Sequence, residues 1–255
     1  MLVAAAVCPC PPLLVPDVAV GAAPELDPAR AACTDALGVL AASRPDLLVV
    51  VGPADPEFRG AHPEGTRGSF LRGAHPEGTR GSFTGFGVDL AVRLGRKGAP
   101  DAASDDPDRE LPVSLAVAAW LLERTGWSDA PVEGLGVGEP LDAERCVRAG
   151  AQLAARAERV ALLVMGDASA CRTLKAPGYL DERAAAFDAE AARALGAADV
   201  DALKALDAGL ARELKAAGRA PWQVLAGAAQ GAGLAGALLY DDAPYGVGYL
   251  VAAWS

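Results

Sequence analysis

The sequence predicts an α/β fold in three layers, in which a central sheet of mostly parallel or mixed strands is flanked by helices. Two aliphatic runs, residues 46–52 and 159–165, are typical of strands that are covered on both faces. Ala-rich segments with helical spacing separate the strand-like segments along the whole chain. No linker interrupts this alternation, and residues 1–255 are therefore expected to form a single domain.

The elements of the first half follow from short local signals. The prolines after Cys8 end the first strand, and Asp27 with Pro28 caps and begins a helix. The predicted elements are a strand at 2–8, a helix at 27–43, strands at 46–52 and 87–94, a helix at 112–125 and a strand at 131–137. This order is typical of a sheet whose strands are joined by helical crossovers.

The second half continues the alternation. Asp142 caps one helix, Pro221 begins another, and the turn-rich residues 241–246 separate the last two strands. The predicted elements are a helix that reaches 156, a strand at 159–165, helices at 181–196 and 199–218, a helix from 221, and strands at 234–240 and 249–254. Ligands collect at the carboxyl ends of parallel strands, so we expect four loops to lie together: 8–12, 52–57, 166–172 and 240–245.

Composition and charge argue against several classes of protein. With 52% apolar and 22% charged residues, the chain is not disordered as a whole. A formal net charge of −10 leaves no broad basic face, so nucleic acid is not an expected partner. Residues 1–8 lack a positive charge and the length of a membrane span, so no membrane association is expected. Five irregularly spaced cysteines indicate free thiols and predict a cytoplasmic location.

A tandem repeat interrupts the pattern. Residues 59–70, RGAHPEGTRGSF, recur as residues 72–83 after a single leucine. Two copies rich in Gly and Pro are typical of a duplicated surface loop, which we place at 58–83. The copies contain both histidines of the chain, His62 and His75, so a histidine base or an imidazole ligand has to come from this loop.

Common catalytic and nucleotide-binding motifs are missing. Residues 166–170, Gly-Asp-Ala-Ser-Ala, lack the glycine spacing of the nucleophile elbow of serine hydrolases. The glycine clusters at 134–138 and 227–233 match neither the dinucleotide-binding fingerprint nor the P-loop. The sequence therefore predicts neither a serine hydrolase nor a nucleotide-binding protein.

Four segments together resemble the class III extradiol ring-cleavage dioxygenase family. They are residues 8–16 (CPCPPLLVP), 47–53, 166–172 and 243–250, and the resemblance covers nearly the whole chain. Family members with the active pattern carry a histidine after the first strand, a second after the next core strand and a third after a later Gly-Asp-x-Ser segment. The resemblance implies the same α/β scaffold for this chain.

The resemblance also implies where an iron site would lie. Such dioxygenases hold Fe(II) through two imidazoles and one carboxylate, and a third histidine acts as acid and base. Here Cys10 and Ala54 stand at the positions of the two metal-binding histidines, and Ala170 stands at that of the catalytic histidine. The carboxylate ligand corresponds to Asp241 or Asp242, of which Asp242 is our assignment. Alanine supplies no ligand, so an ordinary Fe(II) site is not expected.

Three functional hypotheses follow from the resemblance and its departures. In the first, the chain is a non-catalytic homologue without a cofactor, and it binds a small aromatic ligand or a partner. In the second, it is an active metal-dependent oxygenase or hydrolase on an aromatic substrate, with Fe(II) or Zn(II) at the positions of Cys10 and Asp242. A thiolate set of Cys8, Cys10 and Cys171 would favour Zn or Cu(I). In the third, it is a structural component of a homo- or hetero-oligomer.

A pocket at the carboxyl edge of the sheet would be lined by Cys8, Asp55, Asp167, Cys171 and Tyr245. Each of these residue types also has a purely structural interpretation. Buried free cysteines are usually small hydrophobic core residues. Asp167 is either a turn cap or a ligand-binding carboxylate, and Tyr245 either lines an aromatic cleft or packs with its hydroxyl bonded locally.

Overall fold

The computed structural model describes residues 1–54, 74–96, 110–138 and 141–255. The strands in these ranges are β1 (Leu2–Cys8), β2 (Leu47–Pro53), β3 (Ala74–His75), β4 (Arg80–Ser82), β5 (Ala91–Arg93), β6 (Val132–Val137), β7 (Val160–Met165), β8 (Gly236–Asp242) and β9 (Tyr249–Trp254). Seven of them form one sheet in the order β3-β6-β2-β7-β1-β9-β8, and β4 pairs with β5 in a separate small sheet.

The centre of the large sheet is parallel and its two ends are antiparallel. β6, β2, β7 and β1 run in the same direction, with Val50 opposite Leu163 between β2 and β7. β9 runs antiparallel to β1, β8 antiparallel to β9, and β3 antiparallel to β6. Because of these directions, the start of β9 and the end of β8 lie at the edge where the parallel strands end.

Helices cover both faces of the sheet. The α-helices of the described ranges are α1 (Pro16–Ala19), α2 (Asp27–Ala42), α3 (Val113–Thr125), α4 (Ala143–Ala154), α5 (Ala184–Gly196), α6 (Val200–Lys204), α7 (Ala208–Glu213) and α8 (Arg219–Ala228). α2 and α3 pack on one face and α4 to α8 on the other. Among these helices, none combines the length and the apolar character that a membrane crossing requires. The α/β class with a mostly parallel, mixed sheet between helices is confirmed.

Side-chain alternation along the strands builds the two halves of the core. In β2, Leu48 and Val50 face the layer of α2 and α3, while Val49 and Val51 face the layer of α4, α5 and α8. Both sets are buried. A strand with two buried faces needs apolar side chains at every position, which is why the sequence shows a continuous aliphatic run there.

Two predicted elements are wrong in their extent. The single helix expected at 199–218 is split into α6 and α7, because the Asp207 carboxylate accepts hydrogen bonds from the Gly209 and Leu210 amides and so caps a new helix. The strand expected at 87–94 is limited to β5, and a 3-10 helix at Thr84–Phe86 precedes it. In the first case a local cap prevails over the Ala-rich pattern.

The duplicated insert is not only a surface loop. The described part of its second copy, residues 74–83, contributes β3 to the large sheet and β4 to the small one. The side chain of Phe83 is fully buried in the core beside α3. The first copy, with His62, lies outside the described residues. Because the repeat is rich in Gly and Pro, its sequence did not indicate that Phe83 is buried or that β3 and β4 form.

Candidate functional site

Three of the four predicted loops meet at the carboxyl edge of the sheet. The loop after β7 is bonded to the segment before β9, because the Ala168 amide donates to the Gly248 carbonyl and the Gly248 amide donates to the Ser169 carbonyl, each at 2.8 Å. The loop after β1 joins them through Cys10, whose amide donates to Oδ1 of Asp167 at 2.8 Å. The loop after β2 is described only to Ala54, so Asp55 lies outside the described residues.

Asp167 is the central carboxylate of this edge. Burial raises its pKa to about 6, although the hydrogen bond from the Cys10 amide acts in the opposite direction. Among the residues that the structure describes, the Cys10 amide is the hydrogen-bond donor to this carboxylate, and Oδ2 receives none. Asp167 remains partly accessible. It can therefore accept a hydrogen bond from a ligand hydroxyl or amine.

Three of the four tyrosines of the chain lie at this edge, where Tyr249 is close to Asp167, Tyr245 and Tyr240. Tyr249 is buried at the start of β9, and burial raises its pKa, followed by the nearby charges of Asp167, Tyr245, Cys10 and Tyr240. Burial and then Glu25 raise the pKa of Tyr245. Its hydroxyl is buried without a hydrogen bond of good geometry to any described residue. We call Asp167 with Tyr240, Tyr245 and Tyr249 the tyrosine cleft.

An open groove adjoins the tyrosine cleft. Its volume is about 520 Å³, and it is lined by Thr173, Leu174, Lys175, Pro244, Tyr245 and Gly246. A second groove of about 490 Å³ lies where α2 and α3 end. Because β2 begins just after α2 ends, that second groove is at the opposite edge of the sheet. The first groove is therefore the one on the side of Asp167, and Tyr245 is the residue that it shares with the tyrosine cleft.

A second aspartate, Asp188 of α5, holds the loop after β7 in place. Its Oδ1 accepts from the Ser169 amide at 2.8 Å, and its Oδ2 accepts from the Ser169 hydroxyl at 2.8 Å and from the Arg172 guanidinium at 3.0 Å. Asp188 is only 2% exposed. Burial raises its pKa, and the hydrogen bonds from Ser169 and Arg172 lower it. Both oxygens of this carboxylate therefore accept hydrogen bonds from the protein itself.

Sequence reasoning missed Asp188, although a signal was present. In α5 the residues Ala184, Phe187, Ala191 and Leu195 are buried, which is the i, i+3, i+7, i+11 stripe of an amphipathic helix. Asp188 is buried on the same stripe. A charged residue on an apolar stripe indicates a buried polar contact. Its partner could not be read from the sequence, because it comes from the loop after β7.

The cysteines do not converge on one site. Cys8 and Cys10 belong to the core layer of α2, whereas Cys171 belongs to the opposite layer and donates from its thiol to the Leu214 carbonyl at 3.5 Å. The thiol of Cys8 instead lies against that of Cys33 in α2, and this hydrogen bond, followed by burial, raises the pKa of Cys8 well above its usual value. Cys8 and Cys171 are buried and do not line the cleft. The proposed thiolate set of Cys8, Cys10 and Cys171 is therefore wrong.

The remaining positions of the implied iron site take part in local backbone pairing. Ala54 continues the pairing of β2 with β6, its amide donating to Val137 at 2.9 Å, and the Ala170 amide donates to Leu214 at 2.9 Å. Asp242 is exposed and accepts from the Ala243 amide at 2.7 Å. His75 pairs with Gly134 in the middle of β6, away from the carboxyl edge.

These residues do not fit an iron centre. Fe(II) in such sites requires imidazole and carboxylate ligands that face a common point. Among the described residues, no three His, Cys, Asp or Glu side chains are grouped so that they could hold a metal ion. The methyl groups of Ala54 and Ala170 offer no lone pair. The described residues at this edge instead form a polar cleft with an aspartate at its centre.

Comparisons with known proteins identify the fold and no family. No protein-family model and no curated protein match the chain. Among solved structures it is similar to the uncharacterized protein JW3007 from Escherichia coli K12, with a TM-score of 0.54 and 15% sequence identity over 99% of each chain. At that identity the likeness concerns the fold alone.

Proposed function

We propose that this chain is a non-catalytic relative of the class III extradiol ring-cleavage dioxygenases, and that it binds a small aromatic molecule in the tyrosine cleft. One observation carries the proposal. Asp167 is a partly accessible carboxylate at the carboxyl edge of an α/β sheet, with one oxygen held by the Cys10 amide and the other without a donor among the described residues. Its surroundings raise its pKa to about 6, and a perturbed carboxylate that keeps an acceptor at this edge favours a donor from a ligand.

The surroundings of Asp167 favour a phenolic ligand. Tyr245, which lines the adjoining groove, supplies aromatic surface on which a ring packs edge to face or offset. A ligand hydroxyl would donate to Oδ2 of Asp167. Above pH 6 the carboxylate is ionised, and a hydrogen bond to an ionised acceptor is worth about 1.5–3 kcal/mol. A phenol or a catechol satisfies both features at once.

Ring cleavage is not part of the proposal. The positions that the family pattern gives to two of its histidines hold Ala54 and Ala170, whose methyl groups neither ligate a metal nor transfer a proton. The third holds Cys10, whose amide supports Asp167. We therefore derive no catalytic step, and the residues around Asp167 are assigned to binding and orientation.

The test is titration calorimetry with catechol, phenol and cyclohexanol at pH 7.5. We expect saturable binding of the two phenols and none of cyclohexanol. Asp167→Asn should weaken phenol binding at least tenfold, since it removes the charged acceptor. Asp241→Asn is the matched control, because Asp241 is an exposed carboxylate on β8 at the same edge, and it should bind as the parent does.

Two outcomes would overturn the proposal. Equal affinity of the parent and of Asp167→Asn would remove Asp167 from the site. Consumption of oxygen and opening of the catechol ring by protein incubated with Fe(II) would show an active oxygenase, and the non-catalytic assignment would be withdrawn. A lower affinity below pH 6, where Asp167 is protonated, would in turn support the proposal.

A further inference from the structure

Tyr245 differs from the other residues of the tyrosine cleft in the surroundings of its two ends. The residue is partly exposed and lines the open groove, whereas its hydroxyl oxygen is enclosed by the protein. Among the residues that the structure describes, none makes a hydrogen bond of good geometry with this hydroxyl. Because a buried polar group without a partner is costly, we expect the hydroxyl to gain one when the cleft is occupied.

Glu25 supplies an acceptor beside this hydroxyl. Burial raises the pKa of Tyr245, the neighbouring Glu25 carboxylate raises it further, and the positive charge of Arg30 lowers it. The approach of the carboxylate to the hydroxyl falls short of good hydrogen-bond geometry. Glu25 is an exposed residue of the 3-10 helix at Val20–Leu26, and exposed side chains change rotamer readily. A small movement of this side chain is therefore enough to complete the bond.

The backbone that carries Glu25 is held in place from α2. Arg30 of α2 is 3% exposed, and its guanidinium donates to the Leu14 carbonyl at 3.1 Å and to the Ala23 carbonyl. Leu26, which follows Glu25, is fully buried. The segment is thus anchored on both sides of Glu25, so the carboxylate stays beside Tyr245 while its side chain remains free to turn.

We propose that Glu25 is a positioning residue of the tyrosine cleft. When an aromatic ligand packs on the ring of Tyr245, the Tyr245 hydroxyl donates to the Glu25 carboxylate, and this bond holds the ring against the ligand. A hydrogen bond to an ionised acceptor is strong enough to fix a side chain in one orientation. This inference rests on the proposed function, because the ring that Glu25 fixes is the one that the phenol contacts.

The test is titration calorimetry of the full chain with phenol at pH 7.5. Tyr245→Phe keeps the ring and removes the hydroxyl, and it should weaken binding by about fivefold. Glu25→Ala should weaken it by the same factor, and the double variant should bind no more weakly than either single variant, because all three lack the same bond. Glu25→Gln should stay within about twofold of the parent, since its amide oxygen still accepts. Asp17→Ala is the matched control, an exposed acidic residue of α1, and it should bind as the parent does.

The stability of the ligand-free protein separates positioning from a purely structural role. Tyr245→Phe removes a buried hydroxyl that lacks a bond of good geometry, so the midpoint of urea denaturation should be unchanged or higher. With saturating phenol, the midpoint of the parent should rise further than that of Tyr245→Phe, because the parent binds more tightly. A lower midpoint of ligand-free Tyr245→Phe would overturn the inference, since the hydroxyl would then already stabilise the empty protein.

The binding results also distinguish failure of this inference from failure of the proposed function. If Asp167→Asn weakens phenol binding but Tyr245→Phe or Glu25→Ala binds as the parent does, only the role of Glu25 is overturned. Additive losses in the double variant would overturn it as well, because the two groups would then act independently. If the parent binds no phenol, the proposed function fails and the inference fails with it.

Discussion

Asp167, in the loop after β7, is partly accessible, whereas Asp188 of α5, which contacts the same loop, is buried. The protein uses the two carboxylates differently. Asp188 accepts three hydrogen bonds, two from Ser169 and one from Arg172. Asp167 accepts one, from the Cys10 amide. Burial raises the pKa of both. The oxygens of Asp188 are occupied by the fold, whereas Asp167 keeps one acceptor, which the proposed function assigns to a ligand.

Asp188 and Asp167 therefore have different roles at the loop after β7. Asp188, through Ser169, fixes the backbone immediately after Asp167. The backbone pairing of Ala168 with Gly248 adds the segment before β9, which ends at Tyr249. The position of Asp167 relative to Tyr249 is thus set by Asp188 without direct contact to a ligand. Asp188, whose oxygens all accept hydrogen bonds from the protein, therefore supports Asp167, which keeps one acceptor.

The largest expected effect on stability comes from removing the carboxylate of Asp188. Asp188→Ala leaves the amide and the hydroxyl of Ser169 buried without an acceptor, and each such group costs about 1–3 kcal/mol. We expect the free energy of unfolding, measured by urea denaturation, to fall by about 3 kcal/mol.

The variant Asp188→Asn refines this prediction. It keeps an acceptor for the Ser169 amide but presents an N–H group to Arg172, so its loss should be about half as large. Unchanged stability in Asp188→Ala would mean that this carboxylate does not anchor the loop, and the contrast with Asp167 would fail.

The second effect tests how tightly Asp188 is enclosed. A Cβ atom added at Gly248 would lie 2.6 Å from Oδ2 of Asp188 and 2.8 Å from Cβ of Ala168. The carboxylate cannot move without breaking its hydrogen bonds, so we expect Gly248→Ala to lower the free energy of unfolding by about 2 kcal/mol.

The control for this glycine is Gly38 of α2, which has open space around it. Gly38→Ala should raise stability by about 0.5–1 kcal/mol, because alanine is the better helix residue. If Gly248→Ala were as stable as the parent, the packing around Asp188 would be loose.

The third effect has the opposite sign and concerns Asp167. Its pKa is about 6 in the folded protein against a usual 3.8, so the native state binds the proton more tightly than the unfolded chain does. Ionisation of this group therefore opposes folding above pH 6, and its contribution to stability is recovered as the pH falls from 6 to below 4. The neutral variant Asp167→Asn should be more stable than the parent at pH 8 by about 1–2 kcal/mol.

Urea denaturation between pH 4 and pH 8 measures this difference. The gain of Asp167→Asn should disappear below pH 4, where both side chains are uncharged. Such a variant would be more stable and would bind phenol less well, which is expected of a binding residue. A variant less stable than the parent at pH 8 would place Asp167 with Asp188 among the structural groups.

Much of this architecture was predictable because its causes are local. Strands with two buried faces need uninterrupted aliphatic runs, and β2 and β7 show them. The start of α2 near Asp27 and Pro28 is confirmed, but the predicted cap is wrong: Leu26 precedes the helix without a side-chain cap, and the Asp27 carboxylate accepts from Arg30 instead. The same rule of parallel sheets placed the loop of Asp167 at the ligand-binding edge.

The contacts between elements were not predictable, because periodicity says which face is buried and not what it meets. Asp188 meets Ser169 across 19 residues, and Cys8 meets Cys33 from another element. The sequence left open whether Cys8, Cys10 and Cys171 converge, and the structure places Cys171 on the opposite face of the sheet from the other two. Phe83 was assigned to a surface loop because its neighbours are Gly and Pro, whereas its own ring is buried.

The smallest effect concerns Cys10. It supports Asp167 through its amide, which every residue except proline retains. Cys10→Ser should therefore leave the pKa of Asp167 near 6, the phenol affinity within about twofold and the free energy of unfolding within about 1 kcal/mol. Carboxylate signals in an NMR titration measure the pKa, and calorimetry measures the affinity. A shift of the pKa by more than a unit, or loss of binding, would show that the thiol itself belongs to the site. The contribution of Cys10 to Asp167 would then not be limited to its backbone amide, and a site that contains the Cys10 thiolate would have to be considered again.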